Sequence, residues 1–244
     1  IGEIAPFNPV TKLTGFEVIA DAVGSVCAPQ SVRIRAINAN GDVMTGYDGV
    51  VRLSTSSEHG TWSVDEALGA LSPAPDASDD GRAAYDFVAE DNGEIRLLLS
   101  NTHADTLSIS VVDDAPGVSS GSGRIEFLEN VLRIVSRDTL GDDLIADRAH
   151  QYQVGLLKRD GTGECGIARD YQGTYSLQAW ISRTSADPGG TPPTLMAENT
   201  FGPVPDAVGT GTLDVTFVEG TGNFTLYAPD VGEYTLWLVD SGSG

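Results

Sequence analysis

Apolar residues in this chain recur at every second position in short runs, and no stretch sustains the spacing of a helix. The pattern is plain at Val32, Ile34 and Ala36, at Val51 and Leu53, at Tyr85 and Phe87, at Ile95, Leu97 and Leu99, and at Leu107, Ile109 and Val111. A period of two sets one face of an extended strand on a core and the other in water. Between the runs lie Asn40-Gly41-Asp42, Tyr47-Asp48-Gly49, Asp80-Gly81 and Asp91-Asn92-Gly93, residue types that accept the bent or left-handed backbone of tight turns. Short strands punctuated in this way specify stacked sheets. The second half continues the pattern, with strands predicted at Val131 to Val135, Tyr152 to Leu157, Tyr175 to Ile181, Leu213 to Val218, Phe224 to Tyr227 and Tyr234 to Val239. The Pro- and Gly-rich stretch from Ser185 to Thr212 reads as a long loop, and Val64 to Leu71 as a turn or two of helix.

A chain of 244 residues exceeds the roughly 100 to 150 residues of a typical single core, so two domains are expected. From Asp113 to Gly123 the sequence is rich in Ser, Gly and Asp, a linker composition; Ile125 and Phe127 resume the strand pattern and are equally suited to finishing the first domain. The boundary is placed near Leu128, giving domains at 1–128 and 129–244, the second carrying the long Pro/Gly-rich loop. Gly46-Tyr47-Asp48-Gly49 resembles Asp170-Tyr171-Gln172-Gly173, and Asp91-Asn92-Gly93-Glu94-Ile95 resembles Asp230-Val231-Gly232-Glu233-Tyr234. Matches in the same order in both halves argue for related domains. Asp-x-Gly-x-Tyr is also the corner pattern of immunoglobulin-type sandwiches, in which a tyrosine hydroxyl returns to nearby backbone. Tyr234, Asp230 and Gly232 fit it, while Asp91 and Gly93 keep only its turn. The fold class is all-β, with two tandem immunoglobulin-like β-sandwich domains.

Fourteen Lys and Arg stand against 35 Asp and Glu, a formal charge of -21. Such a surface repels phosphate backbones and anionic lipid heads, which makes nucleic acid and membrane surfaces poor partners. No apolar run of about 18 residues is present, so no membrane insertion is expected of this fragment. Cys27 and Cys165 lie in different halves and form no Cys-x-x-Cys or Cys/His ligand cluster; zinc is disfavoured, and an exported setting permits a bridge between them, with free buried thiols or partners outside the fragment as the alternatives.

Few side chains are placed for chemistry. His59, His103 and His150 are far apart in sequence, each in a turn or linker, and none pairs with a nucleophile. Gly117-Val118-Ser119-Ser120-Gly121 spells Gly-x-Ser-x-Gly but lacks the flanking strand and helix of a nucleophile elbow. Carboxylate pairs such as Asp79-Asp80, Asp113-Asp114 and Asp142-Asp143 suit turns better than glycoside hydrolysis. Calcium is the one cofactor the acidic loops could hold, through Asp138, Asp142, Asp143 and Asp147 near the junction or Asp76, Asp79 and Asp80. Trp62, Trp180 and Trp237 offer a sugar-stacking platform, Trp62 being the ligand-binding candidate, against core or edge roles.

The first half resembles the repeated sandwich region of the MSHA pilus biogenesis protein MshQ and related large bacterial surface proteins. The likeness spans roughly residues 15 to 113 and is carried by Val26-Cys27-Ala28-Pro29-Gln30-Ser31-Val32-Arg33, Gly46-Tyr47-Asp48-Gly49, Leu53-Ser54-Thr55-Ser56-Ser57-Glu58-His59-Gly60-Thr61-Trp62, Asp80-Gly81-Arg82-Ala83-Ala84-Tyr85-Asp86-Phe87 and Asn101-Thr102-His103-Ala104-Asp105-Thr106-Leu107. The second half resembles the domain that follows, through Gly163-Glu164-Cys165 leading into Tyr171-Gln172-Gly173, and Asp230-Val231-Gly232-Glu233-Tyr234. The resemblance implies export, an extracellular or cell-surface location and an adhesive or structural role, and brings no catalytic residues. The expected function is a non-catalytic stalk or protein-interaction segment, with a calcium-assisted carbohydrate-binding module as the alternative. Expected partners are other domains of the same chain, pilus or surface proteins, and further copies meeting at edge strands.

Overall fold

The computed structural model describes residues 12–72, 79–113, 118, 121–138, 145–184, 189–197 and 200–240. The chain divides into two compact units, Ile1–Glu129 and Asn130–Gly244. Unit 1 contains β1 (Leu13–Ala20), β2 (Val23–Ser25), β3 (Gln30–Asn38), β4 (Val50–Thr55), β5 (Thr61–Glu66), β6 (Ala70–Ser72), β7 (Ala83–Asp86), β8 (Glu94–Ser100), β9 (Thr106–Asp113) and β10 (Gly121–Leu128). Its sheets run β1-β3-β8-β5 and β2-β10-β9-β4-β7-β6. Unit 2 contains β11 (Asn130–Ser136), β12 (Arg148–Arg159), β13 (Cys165–Ile167), β14 (Gly173–Arg183), β15 (Thr194–Ala197), β16 (Thr200–Pro203), β17 (Gly211–Phe217), β18 (Thr221–Ala228) and β19 (Tyr234–Asp240). Its sheets run β11-β12-β18-β15-β16, with β13 on β12, and β17-β14-β19.

The two units share one topology. β1-β3-β8-β5 corresponds to β11-β12-β18-β15, and β7-β4-β9 to β17-β14-β19. Strands in the A, B, E and D places form one sheet and those in the C and F places lie in the other, as in immunoglobulin-like sandwiches; the strand beside C, β7 or β17, follows the D-place strand in sequence, and among the described residues only unit 1 adds a strand in the G place, β10.

The same backbone circuit holds the crossing between sheets in both units. In unit 1 the Ala36 amide donates to the Gly93 carbonyl at 2.9 Å, Met44 to Ala36 at 2.8 Å and Tyr47 to Met44 at 3.0 Å. In unit 2 Leu156 donates to Gly220 at 3.0 Å, Ala168 to Leu156 at 2.9 Å and Tyr171 to Ala168 at 2.9 Å. Gly93 and Gly220 close these circuits because both hold positive φ, 72° and 79°, and a Cβ on either would strike the Met44 or Ala168 carbonyl. The preceding residues, Asn92 and Glu219, are also left-handed, at 52° and 50°. Each circuit then carries a side-chain latch. The Tyr47 hydroxyl donates to Asp113 at 2.5 Å and the Tyr171 hydroxyl to Asp240 at 2.6 Å, tying the entry of β4 or β14 to the last residue of its sheet neighbour β9 or β19.

This topology corrects the second half of the internal repeat. Asp91 and Gly93 precede β8, whereas Asp230 and Gly232 precede β19, and these strands lie in non-equivalent sheets. The true counterpart of Asn92-Gly93 is Glu219-Gly220, whose sequence lacks the Asp that made the other match visible.

Alternation builds the core as expected: Val32, Ile34 and Ala36 from β3, Ile95, Leu97 and Leu99 from β8, and Leu107, Ile109 and Val111 from β9 are all buried. The opposite face of β3 and β8 is charged, with Arg35 2.5 Å from Glu94 and Arg96 3.0 Å from Glu66, an acidic residue of β5. The inward residues of β19, Tyr234, Leu236 and Leu238, are only partly buried.

Three local expectations fail. Val64 to Leu71 contains no helical turn: it runs from the end of β5 through a short bend into β6, with Trp62 and Leu71 facing the unit 1 core and a strand irregularity at Val64/Glu66. The expected long loop contains the hairpin β15–β16, where Leu195 and Ala197 point into the unit 2 core. The Gly/Ser tract becomes strand from Gly121 onward; Gly121 abuts the Phe16 backbone, where a Cβ would not fit, and Ile125 and Phe127 complete the unit 1 core.

Candidate functional site

Pairing of Thr61 with Ser100 and of Thr55 with Ile109 brings the β4–β5 and β8–β9 turns to one end of the unit 1 sandwich. Gly81 adds the segment before β7, its amide donating to Gly60 at 2.8 Å. Four chemically capable side chains meet there: His59, His103, Asp79 and Asp105. Asn101, 1% exposed, shapes the second turn, accepting from the His103 amide at 2.9 Å and donating to Asp105 Oδ1 at 2.8 Å. The other oxygen of Asp105 lies 3.0 Å from His59 Nδ1. Asp79 is arranged alike: one oxygen accepts from the Gly60 amide and the other lies 3.4 Å from His103 Nδ1. The two imidazoles stack, with ring centroids 3.8 Å apart and planes within 17°. Both remain open to solvent, with side chains 39% and 46% exposed. The histidines, separate in sequence, are therefore a pair in space, each backed by a carboxylate that the scaffold holds by its second oxygen.

The remaining candidates fall elsewhere. Asp138 is nearly buried, 2.6 Å from His150 Nδ1 and 3.3 Å from Arg148 Nη2, and Asp147 accepts from the Tyr227 hydroxyl. Both are occupied by protein donors. Asp142, Asp143 and Asp76 lie outside the described residues, and Asp80 accepts from the Arg82 amide at 2.9 Å in its own turn. No three His, Cys, Asp or Glu side chains among the described residues form a metal-holding group.

Trp62 is not a surface aromatic. It is 3% exposed and its indole donates to the Gly81 carbonyl at 3.0 Å, so inward alternation on β5 has placed it in the core. Trp180 and Trp237 instead face each other across β14 and β19, their planes within 10° and centroids 6.1 Å apart. Asp91 is structural in a way its turn alone did not reveal: buried, it accepts from the Leu68 amide at 2.7 Å, the Val88 amide at 3.0 Å and the Tyr85 hydroxyl at 3.0 Å. Asp230 accepts from the Thr191 amide at 2.9 Å, which holds its carboxyl below the ordinary aspartate range. Tyr234 packs on the unit 2 core. Neither Cys27 nor Cys165 is a free thiol. Of the Gly-x-Ser-x-Gly run, Ser119 and Ser120 lie outside the described residues, and Gly121 opens β10.

No family model and no curated protein matches the chain. Among solved structures it is similar to domains 5–6 of the S-layer protein SbsC, at 12% identity over 96% of this chain and 93% of that chain, with a TM-score of 0.33. It is also similar to the D0-D1 domain of intimin, at 13% identity over 95% and 93% with a TM-score of 0.31. A third is the Yersinia pseudotuberculosis adhesin InvE, at 12% identity over 92% and 58% with a TM-score of 0.26. Likeness at this level carries no functional inference.

Proposed function

We propose that this chain is a non-catalytic segment of an exported bacterial surface or pilus-associated protein, serving as a stalk and protein-interaction module. The observation that carries the reading is the repetition of one sandwich design in tandem, with the same backbone circuit and the same Tyr–Asp latch in each copy. A chain that invests its tyrosines and aspartates in tying strands together is built for holding shape and spacing. The sequence likeness to MshQ-type surface proteins points the same way and adds the location.

Single-molecule stretching of the chain under reducing conditions tests this reading. Each unit, of somewhat more than a hundred residues, should rupture as one event releasing roughly 40 nm at about 3.5 Å per residue. Gradual extension without discrete events would refute it.

A glycan-binding reading has one observation in its favour, the partly exposed Trp180–Trp237 pair on the solvent side of a sheet. It predicts saccharide-dependent tryptophan fluorescence that Trp237→Ala abolishes, and it fails if saccharides leave the emission unchanged.

A further inference from the structure

We propose that β19 is a self-association edge, across which two copies of this chain pair in antiparallel register about a two-fold axis at Trp237. In unit 1 the edge of β9 is covered by β10, antiparallel to it from Gly121 opposite Val111 to Glu126 opposite Thr106, and β10 sets Ile125 and Phe127 into the core. β19 holds the equivalent place in unit 2, and among the described residues it pairs only with β14. Leu236 and Leu238 on its inner face are left partly covered, and Thr235 and Val239 on its outer face are exposed. A strand edge in this state presents backbone donors and acceptors to a second strand.

The other edge strands carry devices against such pairing. β2 and β6 are three residues long, β1 and β5 are irregular at Leu13/Gly15 and Val64/Glu66, β16 ends on Pro203, and β11 and β17 carry Arg133 and Asp214 mid-strand. β19 runs seven residues in unbroken register with β14, without proline and with no charge from Tyr234 to Val239, in a chain of formal charge -21. Pairing with a second copy also suits its one charge. With the axis at Trp237, Asp240 falls opposite the second copy's Tyr234, so no like charges meet. The same register sets Leu236 against Leu238 on the inner face and Thr235 against Val239 on the outer one. It brings the two Trp237 rings side by side, extending the Trp180–Trp237 stack of each copy. One surface meets itself, so assembly stops at the dimer. The dimer deepens the interaction role proposed above and draws its use, though not its geometry, from that reading.

The test is sedimentation velocity of the full chain from about 1 μM to about 1 mM, the range of weak specific association, in about 0.15 M salt to screen the net charge. A reversible monomer–dimer equilibrium is expected. Thr235→Lys combined with Val239→Lys sets lysine opposite lysine at both outer pairings and should weaken the dimer by about tenfold. That variant is less acidic than the parent, so general repulsion falls while the paired contact worsens. Thr235→Lys combined with Val239→Glu sets opposite charges there, leaves the net charge unchanged, and should return the dimer to parent strength. Both positions are exposed, and circular dichroism of the dilute variants should match the parent. A monomer throughout, a dimer indifferent to the lysine pair, a lysine–glutamate variant as weak as the lysine pair, or growth beyond the dimer would each overturn the proposal. None of these results bears on rupture of the units under stretching, so the two readings fail separately.

Discussion

Replacing Tyr47 with phenylalanine removes one hydroxyl and keeps the ring, which packs edge-on against Phe16 at 5.6 Å and Phe87 at 5.0 Å. What is lost is the 2.5 Å hydrogen bond to Asp113. A hydrogen bond to a charged group contributes about 1.5–3 kcal/mol, and the low end applies to a strand-end carboxylate reached by water, so Tyr47→Phe should cost about 1.5 kcal/mol. The melting temperature of unit 1 should fall by about 4–6 °C. The same residue sets an alkaline limit. Burial first, and the bond to Asp113 second, push its pKa well above the ordinary tyrosine value. A raised folded-state pKa on an acid means that the neutral form stabilises the fold. That contribution is complete below about pH 10 and declines as pH rises further, by about 1.4 kcal/mol per pH unit for each such tyrosine. Tyr171 is raised for the same causes in unit 2. Urea denaturation near pH 7 and at about pH 11 therefore separates the two effects: Tyr47→Phe should lose stability at neutral pH and lose part of the alkaline decline. A variant as stable as the parent at neutral pH, or one with an unchanged alkaline decline, would refute the reasoning.

Other consequences are as direct. Asp91→Ala strands three donors, the Leu68 and Val88 amides and the Tyr85 hydroxyl, and should cost about 3 kcal/mol or more in thermal denaturation. Gly93→Ala and Gly220→Ala should each cost at least about 2 kcal/mol, since both pair a left-handed backbone with a carbonyl in the way of the new Cβ; equal losses would support the shared circuit. Thiol titration of the denatured chain should find no reactive cysteine until a reductant is added, because neither Cys27 nor Cys165 is free. Amide exchange should be slower in β9, whose Leu107, Ile109 and Val111 are fully buried, than in β19, whose inward residues are only partly covered.

Strand positions were legible wherever alternation ran through large residues, as in β3, β8 and β9, because burial of every second side chain is itself the physical cause of the strand. Legibility failed where something other than a large side chain fills the space. Gly121 reads as linker, yet a glycine is what the approach to the Phe16 backbone demands. Leu195 and Ala197 contribute only two apolar residues amid prolines and glycines, so β15 was hidden in its surroundings. The sequence aligns Tyr47 with Tyr171 without any sign of a latch, since Asp113 and Asp240 reach the tyrosines through sheet pairings distant in sequence. The Asp-x-Gly match drifted by a strand because that turn signal is common, whereas Glu219-Gly220 reaches the same conformation with different letters. The His59–His103 pair had no local signature at all; it exists because β5 pairs with β8 and β4 with β9.

Two copies of one sandwich topology make up the chain, and strand pairing in solution tests this most directly. Cross-strand proton contacts by NMR should connect β3 with β8 and β12 with β18 in one set of sheets, and β4 with β9 and β14 with β19 in the other. A β18–β19 hairpin, joining strands adjacent in sequence but assigned here to opposite sheets, would contradict it.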